Sequence, residues 1–149
     1  TWELSKADVT YLTECYRRPP IGTVEALMVR NFAKASIDVS DGLAADLEKL
    51  CAVSHVGAEI EAGRVPFSAA ARKALEAVPD LLEDLLTAGD DYVPVIAVSE
   101  TSADLFESEL EEHGADFTQI GVVTASEKIR ILGEHGSELP LKNKGFTHF

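Results

Sequence analysis

Helical and extended apolar patterns alternate along this chain. Ser5 precedes Val9, Leu12, Cys15 and Tyr16, which share one side of a helix that the Arg17-Arg18-Pro19-Pro20 break ends. Val24, Leu27, Met28 and Phe32 predict a second helix from Thr23 to about Ala33. Ser36 to Val39 reads as a short buried strand. From Gly42 onward Leu43, Leu47, Leu50 and Ser54 form a stripe at helical period, with Cys51 beside it. Gly57 to Glu61 reads as a strand, Ser68 to Ala77 as a helix after Pro66, and Asp80 to Leu86 as a short helix. Tyr92 to Val98 is an apolar strand in which Pro94 predicts an edge position or a bulge. Ser102 to His113 stacks Ala103, Phe106 and Leu110 on one helical face, and Gly114 ends it. Phe117 to Val123 and Lys128 to Leu132 read as two strands around a turn, followed by an irregular tail.

The spacing of these segments is uneven, and the last two strands follow one another with no helix between them. That order predicts an α+β fold with a mixed sheet rather than a strict doubly wound one. A length of 149 residues, without repeats or low-complexity tracts, fits one domain. No apolar run approaches the roughly 20 residues of a bilayer span, so a membrane role is not expected, and no leader peptide is visible. Thr1 in place of methionine predicts a chain that continues a longer polypeptide or follows a processed tag.

The net charge of −13 changes the picture most. Such a surface repels phosphate backbones, which excludes nucleic acid as the expected partner. It also makes a poor direct host for nucleotide phosphates, unless Mg²⁺ bridges the like charges. Cys15 and Cys51 lie far apart without a paired motif, and buried free thiols in a cytoplasmic protein are the favoured reading. The four histidines show no zinc-ligand spacing.

Candidate chemistry concentrates in two acidic segments. In Asp38-Val39-Ser40-Asp41-Gly42, alternation along a strand points Asp38 and Ser40 the same way and places Asp41 at the turn into a helix. Carboxylate oxygens there suit Mg²⁺, the hydroxyl suits a phosphate oxygen, and the helix start favours an anion. The same residues also suit a simple helix cap. Asp46, one turn into the helix, reads as structural or as a support to the ligating residues. In Gly89-Asp90-Asp91-Tyr92, adjacent carboxylates suit a metal or a substrate's cationic or hydroxyl group, although taken alone a solvated turn is the better default. Phe146, His148 and Phe149 in the tail could cover a flat ligand or cap the core. Arg17, Arg18 and Arg30 are phosphate contacts by charge alone, and solvation is the better default.

Taken together, Ile37 to Leu47 is similar to the signature of thiamine-monophosphate kinases, in their C-terminal half. Leu86-Thr87-Ala88-Gly89-Asp90-Asp91-Tyr92 resembles that family's second signature. Gln119-Ile120-Gly121-Val122-Val123 and Gly145-Phe146-Thr147-His148-Phe149 match its pattern as well, so the likeness covers nearly the whole chain. The wider superfamily includes aminoimidazole ribonucleotide synthetase.

The resemblance implies a three-layer α/β/α arrangement with a mixed sheet. It implies an enzyme that uses ATP and Mg²⁺ to phosphorylate thiamine monophosphate to thiamine diphosphate. By that likeness Asp38 and Asp41 bind Mg²⁺, Ser40 contacts ATP, and Phe146 and Asp91 meet the substrate. It also implies that residues 1–149 are one C-terminal domain of a longer kinase. The N-terminal half, through which family members dimerise and which carries most nucleotide and Mg²⁺ aspartates, would be missing. The isolated chain is then expected not to turn over. One departure bears on the substrate: the family's glutamate after Asp-Tyr is Val93 here, followed by Pro94.

Overall fold

A computed structural model describes residues 2–19, 22–141 and 145. The elements run α1 (Lys6–Arg17), α2 (Thr23–Phe32), β1 (Ala33–Asp38), α3 (Leu43–Ser54), β2 (Gly57–Glu61), α4 (Ala69–Ala77) and α5 (Leu81–Thr87). They continue with β3 (Pro94–Val98), α6 (Ala103–His113), β4 (Gly121–Thr124) and β5 (Ile129–Leu132). Local chemistry accounts for several of these starts. Ser5 and Asp8 form a reciprocal capping box at α1, with the Asp8 N–H donating to Ser5 Oγ at 3.2 Å and the Ser5 N–H to Asp8 Oδ2 at 3.0 Å. Ser68 Oγ accepts the Ala71 N–H and starts α4. Lys73 on α4 donates to Asp8, at 2.9 Å, and ties the two helices together.

Strands β1 and β3 form an antiparallel pair in which Asp38 lies opposite Pro94. The irregularity suggested by Pro94 falls on the partner strand, between Ala33 and Ala35, while Pro94 itself heads β3 where a missing N–H matters least. Strand β1 begins earlier than the apolar run suggested. It alternates half-buried and exposed residues instead of being buried throughout, with Lys34, Ser36 and Asp38 on its exposed side.

The second sheet has the order β4-β2-β5. Here the expectation of two final strands folded directly on one another is corrected. Strand β2 lies between them, antiparallel to β4 and parallel to β5. The connection from β4 to β5 must therefore cross the end of β2, and it does so at Gly57. A Cβ there would collide with the carbonyls of Ser126 and Lys128. Phe117 lies outside any strand, and its ring packs edge-on against Phe106 at 5.6 Å.

The fold is thus α+β with a mixed sheet, as the order of segments predicts. Helix α2 packs on both strands of the smaller sheet and on α6, where Phe32 meets Phe106 at 5.4 Å. Helix α3 packs on β1, β2 and β5, so that helices and strands form the layered arrangement that the resemblance implied. The core gathers Val39, Leu43, Leu47, Cys51, Ile60, Leu86 and Ile131. Cys51 and Cys15 are free thiols, Cys51 buried as expected and Cys15 only half-buried. Among the described residues no helix is long and apolar enough to cross a membrane.

Candidate functional site

Two fully buried residues fix the two acidic segments from below. Val39 sits between Asp38 and Ser40, and Leu86 ends the buried part of α5 just before Gly89. Removing either from water contributes about 1.5–3 kcal/mol. Above this floor the segments run side by side. The Val39 N–H donates to the Val93 carbonyl at 2.9 Å, the Tyr92 N–H to the Val39 carbonyl at 2.8 Å, and the Asp90 N–H to the Ser40 carbonyl at 3.0 Å. Gly89 crosses so close to Ser40 that a side chain would strike the Ser40 carbonyl. The structure therefore brings together the two motifs that the sequence places about 50 residues apart.

The turn after Asp38 is built around Asp46. Its Oδ2 accepts the N–H groups of Ser40 at 2.7 Å and Asp41 at 2.8 Å, and its Oδ1 accepts from Lys49 Nζ at 2.7 Å. Asp46 is 1% exposed. Burial pushes its carboxyl up, but the donations from Lys49 and the two amides outweigh that, and the group lies below its ordinary range. Asp46 thus anchors the turn, in keeping with its structural reading. The alternative of Ser40 or Asp41 as the helix cap is set aside by Gly42, which occupies the N-cap position at φ 108°. A side chain at 42 would also meet the Thr87 carbonyl.

Asp38 and Asp41 face different surroundings. Asp38 is exposed at the end of β1 and lines a cleft of about 540 Å³ with Pro19, Ala26, Val29, Tyr92 and Pro94. The Asp41 carboxylate is paired with the Lys49 ammonium, and Ser40 Oγ lies 3.4 Å from Asp41 Oδ1. Tyr92 stands between these surroundings. Its hydroxyl donates to Asp90 Oδ1 at 3.2 Å, and that bond, with the charges of Asp90 and Asp41, raises its pKa.

The second segment is conformationally unusual. Asp90 and Tyr92 both have positive φ, 70° and 52°, a region costly for residues other than glycine. Crowding by protein atoms, and then the neighbouring Asp90 charge, push the Asp91 carboxyl above its ordinary value. Asp91 keeps contact with solvent and does not line the cleft, whose wall here is Tyr92 and Pro94. Val93 is 44% exposed and takes part through its backbone carbonyl.

Phe146 lies outside the described residues. A side chain on Gly145, which is described, would meet Ala45 and the Asp41 carbonyl, so Gly145 lies against the same turn. Arg17, Arg18 and Arg30 are exposed, as their default reading held. Lys49 was not singled out from the sequence. The only signal for it is a basic residue one helical turn after Asp46. Tyr92 was read only as part of a motif, and its place in the cleft wall needed the path of β3.

Among the described residues no group of three or more His, Cys, Asp or Glu side chains could hold a metal ion by itself. The donors that are present, Asp38 and Asp41, are hard oxygens, and Asp41 already carries a cation in the form of the ammonium. That set fits part of a Mg²⁺ site whose remaining ligands are phosphate oxygens and water.

Comparison with known proteins adds independent findings. The family model described as AIR synthase related protein, C-terminal domain, matches residues 1–134. A thiamine-monophosphate kinase of Escherichia coli K12 is 32% identical over 142 residues, which are 95% of this chain and 43% of that protein. The crystal structure of thiamine-monophosphate kinase from Stenotrophomonas maltophilia superposes with a TM-score of 0.77 at 30% identity, covering 90% of this chain and 41% of that one. AaThiL complexed with AMPPCP and TMP gives 0.76 at 26% identity, covering 99% and 44%. The chain thus spans less than half the length of these relatives.

Proposed function

The chain belongs to the family of AIR synthase related proteins, as a C-terminal domain, and from that premise we propose that it is part of a longer thiamine-monophosphate kinase. In this reading the whole protein transfers the γ-phosphoryl group of ATP to thiamine monophosphate. An oxygen of the substrate phosphate forms the new bond to phosphorus as ADP leaves. The kinase names of the relatives support the reaction class. A structure of AaThiL with AMPPCP and TMP supports the pair of ligands.

The observation that carries the reading is the pairing of the two acidic segments beside one cleft, with Asp38 as the carboxylate on its wall. Asp38 and Asp41 would hold Mg²⁺, which when bound neutralises charge on the transferring group. Ser40 Oγ, next to Asp41, bonds an ATP phosphate oxygen. Phe146 would meet the substrate from the tail and Asp91 from the second segment, next to the cleft wall of Tyr92 and Pro94. The missing half supplies the remaining nucleotide contacts and the homodimer interface, and the protein works in the cytoplasm.

The test is ATP- and Mg²⁺-dependent formation of thiamine diphosphate. The full-length protein is expected to catalyse it and the isolated 149 residues are not. A full-length protein that leaves thiamine monophosphate unchanged overturns the assignment. Val93 in place of a glutamate favours one alternative, a related ATP-dependent enzyme with another substrate. That reading wins if the full-length protein is inactive on thiamine monophosphate yet transfers phosphate from ATP to a different acceptor.

A further inference from the structure

We infer that Lys49 is a resident stand-in for the divalent cation, holding Asp41 in its liganding position until a metal ion displaces the ammonium. The inference rests on the reading of Asp41 as a metal ligand and adds a residue that the family resemblance does not assign. Lys49 Nζ bonds Asp41 Oδ2 and, at 2.7 Å, Asp46 Oδ1. The side chain of Asp46 is 2% exposed and that of Lys49 is 50% exposed. Asp46 therefore stays fixed under the turn while the ammonium, on a flexible stem at the surface, is free to withdraw from one partner.

The base of the stem is rigid, because α3 is pinned through Leu47 and Cys51 in the core. In a chain of net charge −13 an uncompensated Asp41 next to the buried Asp46 would repel it. The ammonium removes that repulsion. It also competes, since a monovalent and a divalent cation on the same carboxylate repel each other. Lys49 is thus a positioning residue: it keeps the turn closed without metal and sets a threshold for metal entry.

The experiment is Mn²⁺ binding to the full-length protein, followed by electron paramagnetic resonance, for wild type, Lys49→Gln, Lys49→Arg and Asp41→Asn. Lys49→Gln is expected to bind Mn²⁺ about tenfold more tightly. Its melting temperature in metal-free buffer should fall and then recover on adding Mn²⁺. Lys49→Arg should keep the wild-type affinity within about twofold, because the charge stays. A merely structural lysine would lower the melting temperature with no gain in affinity.

If Lys49→Gln does not fold without metal, the double variant Lys49→Gln with Asp46→Asn replaces it. An amide oxygen at 46 still accepts the Ser40 and Asp41 N–H groups, and no buried charge is left unpaired. Unchanged or weaker Mn²⁺ binding in these variants, with one Mn²⁺ fewer bound in Asp41→Asn, overturns the role of Lys49 alone. Wild-type binding in Asp41→Asn overturns the metal-ligand reading itself.

Discussion

Residues 38–46 and 89–93 lie side by side, yet they are held in different ways. In the first, Asp46 takes two backbone N–H groups and an ammonium, so the turn is shaped by one of its own side chains. In the second, two non-glycine residues sit at positive φ and two carboxylates are adjacent, so the loop is shaped by backbone bonds to its neighbour. The first can be broken from within. The second keeps its shape only as long as Val39 and Ser40 hold it, which makes it the adaptable wall of the cleft.

Breaking the anchor should have the largest effect. Asp46→Ala leaves the Ser40 and Asp41 amides without their acceptor and Lys49 with Asp41 alone, and should cost about 3 kcal/mol of stability, read from urea unfolding. A loss below about 1 kcal/mol would mean that the turn is held by its packing alone. Asp38→Asn changes the cleft wall and not the anchor. In the full-length protein it should lower kcat by about two orders of magnitude with unfolding unchanged. Loss of stability without loss of rate would move Asp38 from the chemistry to the fold.

Acid titration separates the two segments by sign. The Asp46 carboxyl is held below its ordinary value of 3.8, so its contribution is complete above that value and is lost as the pH falls through the lowered one. The Asp91 carboxyl is held above 3.8, so its contribution is present below that value and is lost as the pH rises through the raised one. Urea midpoints followed against pH should therefore show a shallower acid limb in Asp46→Asn, with the part that Asp8 contributes remaining. The slope of opposite sign that Asp91 contributes should disappear in Asp91→Asn. The smallest expected effect is Asp90→Gly, which relieves one positive φ and one like charge at the cost of unfolded-state entropy. Stability should change by less than about 1 kcal/mol, upward if strain dominates.

What the sequence made legible follows the range of each interaction. The cap at Ser5, the end of α6 at Gly114 and the two acidic motifs are local features, read within a few residues. The pairing of Asp38 with Pro94 and of Ser40 with Asp90 joins positions with no shared periodicity, and only their likeness to a known pattern placed them in one site. Lys49 reaches Asp41 across eight residues because the chain doubles back at Gly42, a path that no spacing rule encodes. The arrangement of β4 and β5 was misread because adjacency in sequence normally means adjacency in a sheet. Here the only local hint was a glycine at position 57, whose need for close approach shows up only once the crossing chain is in place.

That crossing sets an order of assembly. Strand β2 reaches its two neighbours only when residues 121–132 arrive, more than 50 positions later, so the larger sheet closes around an already waiting central strand. Such distant closure slows folding. A polypeptide stopped before Gly121 would leave the backbone N–H and C=O groups of β2 unpaired along both edges, and the core around Val39 and Leu47 without Ile131. In this protein a segment synthesised well after the acidic residues completes the support for a site whose visible residues were made much earlier.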